Sequence, residues 1–242
     1  MAEPVLRLAA LVREFGGGAG LHGVDLDVRA GEVHALVGLN GAGKTTLMRT
    51  ALGMLRPDAG EVRVHGTRLP AATASTWRRV GHLVDAPFAY PELDVRTNLR
   101  LAARLHGLAP DEARRRTDAI VAELELTPYA SVRARRLSAG NRQRVGIAAA
   151  LQHDPGLVVL DEPTNALDPR GVILLREALV RRAEAGAGIL VSSHHLDEVA
   201  RIADRITVMN DGRVVGALEP GGTDLERAFF ALVLADDEER AS

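Results

Sequence analysis

Hydrophobic and polar residues alternate in the N-terminal part of the chain with the spacing of β-strands. Val24, Leu26 and Val28 alternate with two aspartates, which is the period of a half-buried antiparallel strand. Strands are predicted at residues 5–12, 23–28, 33–37, 61–64 and 80–84. The run 33–37 is wholly apolar and is followed by a predicted helix at 45–52, so strand-rich stretches flank one helix.

The next part of the chain has the spacing of helices instead. Leucine, isoleucine and alanine residues recur every three or four positions between 95 and 124, which predicts two helices, and a third follows at 141–151. We expect this block, residues 94–152, to be a helical subdomain inserted into an α/β core that comprises residues 1–93 and 153–242.

Strands and helices then alternate. Strands are predicted at 156–160, 188–191, 206–209 and 214–217. Helices are predicted at 170–184, 196–202 and 225–234, followed by a charged tail at 236–242. This alternation implies a mainly parallel sheet.

A glycine-rich stretch joins the buried strand 33–37 to the helix 45–52. It comprises Gly38, Leu39, Asn40, Gly41, Ala42, Gly43, Lys44, Thr45 and Thr46, and it fits the phosphate-binding pattern G-x-x-x-x-G-K-[ST]. Glycines let backbone N–H groups surround a phosphate, and the helix N-terminus adds partial positive charge. We expect Lys44 to reach the β- and γ-phosphates of a nucleotide and the Thr45 hydroxyl to bind Mg²⁺.

The usage of basic residues supports a special role for Lys44. It is the only lysine of the chain, and all the other basic residues are arginine. A compact ammonium on a flexible stem fits between phosphates where a planar guanidinium does not.

Composition limits the possible partners. The net charge is −2, so nothing in the charge balance indicates nucleic acid, and the absence of cysteine excludes disulfides and thiolate metal sites. No apolar run reaches the roughly 18 residues of a membrane span, and the N-terminus lacks the pattern of a signal peptide. Any action at a membrane is therefore expected to need a partner that spans it.

Two adjacent carboxylates follow the apolar run 157–160. Asp161 and Glu162 are predicted at the C-terminal end of a buried strand, where open α/β sheets bind ligands. We expect Asp161 to hold Mg²⁺ through water and Glu162 to orient or deprotonate the water that attacks the γ-phosphate.

A further candidate segment lies upstream, at Leu137, Ser138, Ala139, Gly140 and Asn141. A serine hydroxyl, a glycine N–H and a helix start can bind phosphate, although an ordinary serine N-cap has the same sequence. Together with the phosphate loop, the pair Asp161-Glu162, the segment 165–168 and Ser192-Ser193-His194, it resembles the ATP-binding cassette (ABC) ATPases over nearly the whole chain.

The resemblance implies a P-loop NTPase fold of class α/β, with an N-terminal antiparallel β portion and an inserted helical subdomain. It implies that Phe15 stacks on adenine, that Asp168 belongs to the loop linking two nucleotide sites, and that His194 contacts the γ-phosphate. It also implies ATP and Mg²⁺ as ligands, and a homodimer whose signature segments, residues 137–141, act on the partner copy's nucleotide. Ordinary core packing stays open as the alternative for Phe15.

Two positions depart from the family pattern. The signature has alanine and asparagine at positions 139 and 141, and Asp85 occupies the place of a glutamine that faces Mg²⁺ and the membrane subunit. An acidic residue there, followed by residues 86–93, is similar to the ATPases of bacitracin- and lantibiotic-type resistance exporters, which usually carry glutamate. Asp85 is expected to act mainly in coupling to a permease, with a smaller part in catalysis near Mg²⁺, or else to be an exposed loop acid.

The expected protein is a cytoplasmic ATPase subunit, peripheral on the inner face of the membrane, that drives a separate permease and exports a peptide antibiotic or another amphipathic compound. A soluble ABC protein acting on ribosomes or DNA, a phosphate-loop kinase and a nucleotide-sensing regulator are the alternatives. The kinase would leave the signature and His194 unexplained, and the regulator would leave Glu162 without a role.

Overall fold

The computed structural model describes residues 3–87 and 89–241. The strands are β1 (Leu6–Glu14), β2 (Gly20–Val28), β3 (Val33–Val37), β4 (Ala59–Val64), β5 (Thr67–Arg68), β6 (Val80–Leu83), β7 (Leu157–Leu160), β8 (Gly188–Ser193), β9 (Arg205–Asn210) and β10 (Arg213–Leu218). The α-helices are α1 (Lys44–Ala51), α2 (Ala74–Trp77), α3 (Val95–Leu105), α4 (Pro110–Glu123), α5 (Ala139–Leu151), α6 (Pro169–Glu184), α7 (Leu196–Val199) and α8 (Leu225–Ala241).

The strands form two sheets. An antiparallel sheet has the order β2-β1-β4-β5, and a second sheet has the order β10-β9-β3-β8-β7-β6. From β9 to β6 every pairing of the second sheet is parallel, whereas β10 pairs antiparallel with β9. The predicted mainly parallel sheet with an antiparallel N-terminal portion is therefore confirmed.

The parallel sheet has a hydrophobic core on each face. Val33, Ala35 and Val37 pack on the side that carries α3 to α6, whereas Leu36 packs on the other side with Leu47 of α1 and the antiparallel sheet. Neighbouring strand residues point to opposite faces, so burial on both faces explains the wholly apolar run of β3. This sandwich fixes α1, and with it the loop that precedes α1, against the rigid sheet.

Two predicted elements differ from the observed ones. The helix expected at 196–202 is only α7, and the charged tail expected from residue 236 is part of α8. The buried Asn210 amide donates to Asp236 and Asp237, at 2.8 Å each, and Arg240 pairs with Asp236 at 3.1 Å. These contacts hold a segment of high charge in a helix against β9.

His34 is buried in β3, the strand that carries the phosphate loop. Its Nε2 lies 2.7 Å from Oγ1 of Thr207 and its Nδ1 lies 2.9 Å from the carbonyl oxygen of Asp27. Burial, and secondarily the charge of Arg205, lowers the pKa of His34 to about 4. The folded protein therefore keeps this imidazole neutral at pH values where an unfolded chain protonates it.

We expect stability to fall as the pH drops from 6.5 towards 4, the unfolded and folded pKa values of His34. The unfolded chain gains a proton over that interval and the folded chain does not, which lowers the free energy of unfolding by about 3 kcal/mol at most. Urea unfolding at several pH values measures the slope. His34→Gln should flatten it, and the same change at the exposed His195 should not; equal slopes in all three proteins would contradict the assignment.

Candidate functional site

The predicted phosphate-loop and catalytic residues meet at one edge of the parallel sheet, whereas Phe15, the signature segment and Asp168 lie on other elements. β3, β8, β7 and β6 are neighbours in that order and run in the same direction, so their C-terminal ends share an edge. The phosphate loop follows β3, the segment 192–194 ends β8, Asp161 and Glu162 follow β7, and Asp85 follows β6 shortly after its last residue. Strand order alone therefore brings together groups that are far apart in the chain.

Two glycines show why the phosphate loop needs its composition. Gly43 caps α1 with a φ of 99°, a left-handed backbone conformation that residues other than glycine rarely adopt. A Cβ added to Gly38 would lie 2.4 Å from the carbonyl oxygen of Met209, so the loop passes directly against β9. The turn after β9 also touches the loop, because Gly212 donates its N–H to the carbonyl of Ala42 at 3.0 Å.

Lys44 lies in the curve of this loop. Its side chain is 7% exposed, and Nζ donates to the carbonyl oxygens of Gly38 at 2.7 Å and Leu39 at 3.3 Å. The ammonium is also 3.3 Å from Oε1 of Glu162. A buried cation held by carbonyl oxygens and one carboxylate is matched to an anionic ligand that replaces those acceptors.

Asp161 is held between two hydroxyl groups. Thr45 donates to Oδ2 at 2.6 Å and Ser192 donates to Oδ1 at 2.5 Å. Ser192 also accepts the N–H of Glu162 at 2.9 Å, so it fixes both carboxylates. Sequence reasoning gave Ser192 no role of its own, because only the pairing of β7 with β8 places it beside Asp161.

Glu162 has a strained backbone and two charged or polar neighbours. Its φ is +47°, which for a residue other than glycine costs about 1–3 kcal/mol and is often found at functional sites. Oε2 lies 2.7 Å from Nδ1 of His194 and also accepts the His194 N–H at 3.3 Å. The Glu162 carboxylate thus contacts Lys44 through one oxygen and His194 through the other.

The donor set around Asp161 fits Mg²⁺. The Thr45 hydroxyl and the Asp161 carboxylate are hard oxygen ligands at the mouth of a phosphate-binding loop, and Mg²⁺ prefers a few protein oxygens with water and phosphate completing the shell. Both predicted metal residues therefore lie together. The assignment of the metal to them stays a prediction.

The signature segment begins α5. Ser138 is the N-cap, and its hydroxyl accepts the N–H of Asn141 at 3.2 Å, so the ordinary capping role is present. Ser138 and Ala139 are exposed, Leu137 is buried, and a Cβ on Gly140 would meet the carbonyl oxygen of Ala166 at 2.5 Å. The helix start is thus open to an external ligand.

Asp168 caps the neighbouring helix α6. Its carboxylate accepts the N–H of Gly171 at 2.8 Å and pairs with Arg144 of α5 at 2.6 Å. These contacts hold the pKa of Asp168 below its usual value, the Gly171 N–H being the largest cause. The helix that begins at the signature is therefore tied to the loop that precedes α6.

Phe15 lies in the loop between β1 and β2 and is 52% exposed, with the Arg13 guanidinium 5.0 Å from its ring centre. Ordinary core packing, the alternative for this residue, is therefore excluded. An exposed aromatic face is available for stacking on a base, which stays a prediction.

Asp85 is the one predicted site residue whose surroundings differ from expectation. Its side chain forms a two-point ion pair with Arg49 of α1, with Arg49 Nε at 3.0 Å from Oδ2 and the second guanidinium nitrogen on Oδ1. Both side chains are partly exposed. The positive charge of Arg49 therefore offsets the negative charge of the carboxylate that was expected near Mg²⁺.

A glycine-rich loop with one buried lysine, followed across the sheet by adjacent carboxylates, defines a phosphate-loop nucleotide-binding protein. The family model described as "ABC transporter" matches residues 21–165. The chain belongs to this family: it is an ATP-binding subunit of the ABC transporter type, whose cassettes bind and hydrolyse ATP. The resemblance inferred from the motifs is confirmed.

Three similar proteins illustrate the relationship. An uncharacterized ABC transporter ATP-binding protein, YdbJ of Bacillus subtilis (strain 168), is 35% identical over all of this chain and 77% of its own length. The bacitracin transport ATP-binding protein BcrA of Bacillus licheniformis is 31% identical over 87% of this chain and 68% of its own. A dimeric structure of the cassette MJ0796 in a post-hydrolysis state with ADP and Pi has a TM-score of 0.78 at 25% identity, over 90% of this chain and 99% of that one.

Proposed function

We propose that this site hydrolyses ATP with Glu162 as the general base. The observation that carries the proposal is the position of the Glu162 carboxylate, 3.3 Å from Lys44 Nζ and 2.7 Å from His194 Nδ1, beside Asp161. A carboxylate in that place would lie close to the terminal phosphate of a nucleotide bound by the phosphate loop. It can accept a proton from a water that attacks this phosphate.

The same contacts indicate what nucleotide binding changes. The phosphates replace the carbonyl oxygens of Gly38 and Leu39 as acceptors for Lys44, and the terminal phosphate weakens the pairing of Lys44 with Glu162. His194 then keeps Glu162 oriented through Nδ1 and is free to meet the γ-phosphate with its other nitrogen. Phe15 stacks on the adenine ring.

Thr45 and Asp161 are the residues that would hold Mg²⁺, Asp161 through water, with its carboxylate fixed by the hydroxyl of Ser192. When bound, Mg²⁺ neutralises charge on the phosphates as the terminal phosphoryl group leaves. The protein side of this arrangement is rigid, because Thr45 is in the first turn of α1 and Asp161 and Ser192 border adjacent parallel strands.

We propose further that two copies enclose two nucleotides head to tail. The exposed hydroxyl of Ser138, the Gly140 N–H and the start of α5 provide an anion site that a γ-phosphate on the partner copy can occupy. The ion pair between Arg144 and Asp168 would make the signature and the loop before α6 move together as the two copies close.

The transport role is the part of the proposal that rests most on relatives. None of the helices in residues 3–87 and 89–241 combines the length and low charge that crossing a membrane requires. We propose that closure of the two cassettes, at the cytoplasmic face of the membrane, drives a conformational change in a separate permease. We also propose that residues 94–152 form a helical subdomain inserted into a core of residues 1–93 and 153–242. The similarity to the bacitracin relative and the acidic Asp85 favour export of a peptide antibiotic or other amphipathic compound.

Dimer formation tests the head-to-tail arrangement. The Glu162→Gln protein, which should hold ATP without cleaving it, is expected to change from monomer to dimer in size-exclusion chromatography when ATP and Mg²⁺ are added. Adding Ser138→Arg, which places a bulky cation at the proposed phosphate contact, should abolish the dimer. Ser131→Arg, which adds the same cation at an exposed serine outside the signature, is the control and should leave the dimer intact. An ATP-dependent dimer that persists with Ser138→Arg would contradict the role of the signature.

A further inference from the structure

The loop that follows β6 is attached to α1 by a charge pair. Asp85 adopts a φ of +70°, and its carboxylate pairs with Arg49 of α1. A planar guanidinium that meets both oxygens of one carboxylate fixes orientation as well as distance. Arg49 lies one helical turn after Thr45, so the loop is fastened to the same short helix whose first turn carries the phosphate-binding lysine.

The same loop is attached to α5 two residues later. A Cβ on Gly146 would lie 2.8 Å from Cβ of Pro87, so Pro87 packs directly on the backbone of α5. α5 begins with the signature segment at its N-terminus. Residues 85–87 therefore connect the phosphate-loop helix to the signature helix over a span of three residues.

The charges at the sheet edge are also distributed in a particular way. Lys44 faces Glu162 at 3.3 Å, Arg49 faces Asp85, and Asp161 receives hydrogen bonds from the hydroxyls of Thr45 and Ser192. Two of the three carboxylates at this edge are thus matched with a basic side chain. The pairing leaves Asp161 as the carboxylate best placed for a cation and turns Asp85 away from that role.

We propose that Arg49 is a positioning residue, which through its ion pair with Asp85 fastens the loop 85–87 to α1 and, by way of Pro87 on Gly146, sets the position of α5. A neutral residue at position 85 could not form this pair with Arg49. The effect of this arrangement on ATP turnover rests on the proposed function, whereas the pairing of Arg49 with Asp85 does not.

Hydrogen–deuterium exchange without nucleotide tests the attachment directly. Arg49→Gln and Asp85→Asn should each speed exchange in peptides that span 85–87 and 138–146 by about twofold to fivefold, the range expected for a partly exposed ion pair. The double variant should be no faster than either single variant. Arg96→Gln is a matched control, because the pair Arg96–Asp118 is 37% and 47% exposed, against 40% and 45% for Arg49–Asp85. Unchanged exchange in Arg49→Gln, or additive effects in the double variant, would overturn the proposal.

A reversed pair separates positioning from a general effect on folding. Arg49→Asp and Asp85→Arg should each lower kcat for MgATP about fivefold while leaving the Kd for ADP unchanged, and the two together should restore kcat. Failure of the restoration would overturn the positioning role. The exchange experiment needs no turnover, so a protein that proves inactive towards ATP would contradict the proposed function and leave the exchange result intact.

Discussion

Glu162→Gln should remove most ATP turnover and leave ATP binding nearly unchanged. The amide keeps the size of the side chain and can still bond to His194, but it cannot accept a proton from the attacking water. A positioned general base contributes about 10²–10⁴-fold to such a step, so kcat should fall by that factor. Phosphate release gives kcat, and equilibrium binding of a fluorescent ATP analogue gives the affinity.

Glu125→Gln is a suitable control for this substitution. Glu125 is another glutamate with a left-handed backbone, at φ +52° against +47° for Glu162, and it pairs with Arg170 away from the phosphate loop. Any loss of folding stability that comes only from placing glutamine in this left-handed conformation should appear in both variants. Near-normal turnover in Glu162→Gln would exclude Glu162 as the base.

Lys44→Ala should abolish nucleotide binding rather than turnover alone. Lys44 is buried against the carbonyl oxygens of Gly38 and Leu39, where it is the cation that the phosphates meet first. Losing a charge-assisted contact of a buried cation costs about 3–5 kcal/mol, which corresponds to a fall in affinity of more than a hundredfold. Isothermal titration with MgATP measures the loss.

Lys44→Arg tests whether charge alone is sufficient. The guanidinium is planar and wider than an ammonium, and Lys44 is only 7% exposed inside a tight loop, so we expect Lys44→Arg to lose nucleotide binding as well. An Lys44→Arg protein with normal affinity would show that geometry does not matter here.

Because Lys44 is the only lysine, an amine-reactive reagent should label this side chain and the N-terminus alone, and ATP should block labelling of Lys44.

The chemistry of the site could be predicted from sequence because its main residues lie next to long apolar runs. The run 33–37 places the phosphate loop, and the run 157–160 places Asp161 and Glu162, each by local pattern. Both runs became strands, and parallel strands end at a common edge. Family membership followed from the order of the motifs, whereas the individual roles of these residues still depend on the experiments above.

Contacts between distant segments could not be predicted in the same way. Ser192 meets Asp161 across 31 positions and Arg49 meets Asp85 across 36, and both contacts depend on a strand order that no local pattern determines. The charged segment that begins at residue 236 was wrongly predicted to be a tail, since its charge suggested exposure to solvent. Its aspartates instead bind the buried amide of Asn210, which is a tertiary contact.

Mixing two inactive variants tests most directly whether ATP is hydrolysed in a composite site of two copies. Lys44→Ala disables the phosphate loop of its own copy and leaves Ser138 intact, whereas Ser138→Arg disables the signature and leaves Lys44 and Glu162 intact. In a mixture, only a pair with one copy of each variant contains a complete site, and it contains one such site out of two. Phosphate release should therefore return, to at most about half of the wild-type rate. A mixture as inactive as its two components, with both variants folded, would contradict hydrolysis between a phosphate loop and a signature supplied by different copies.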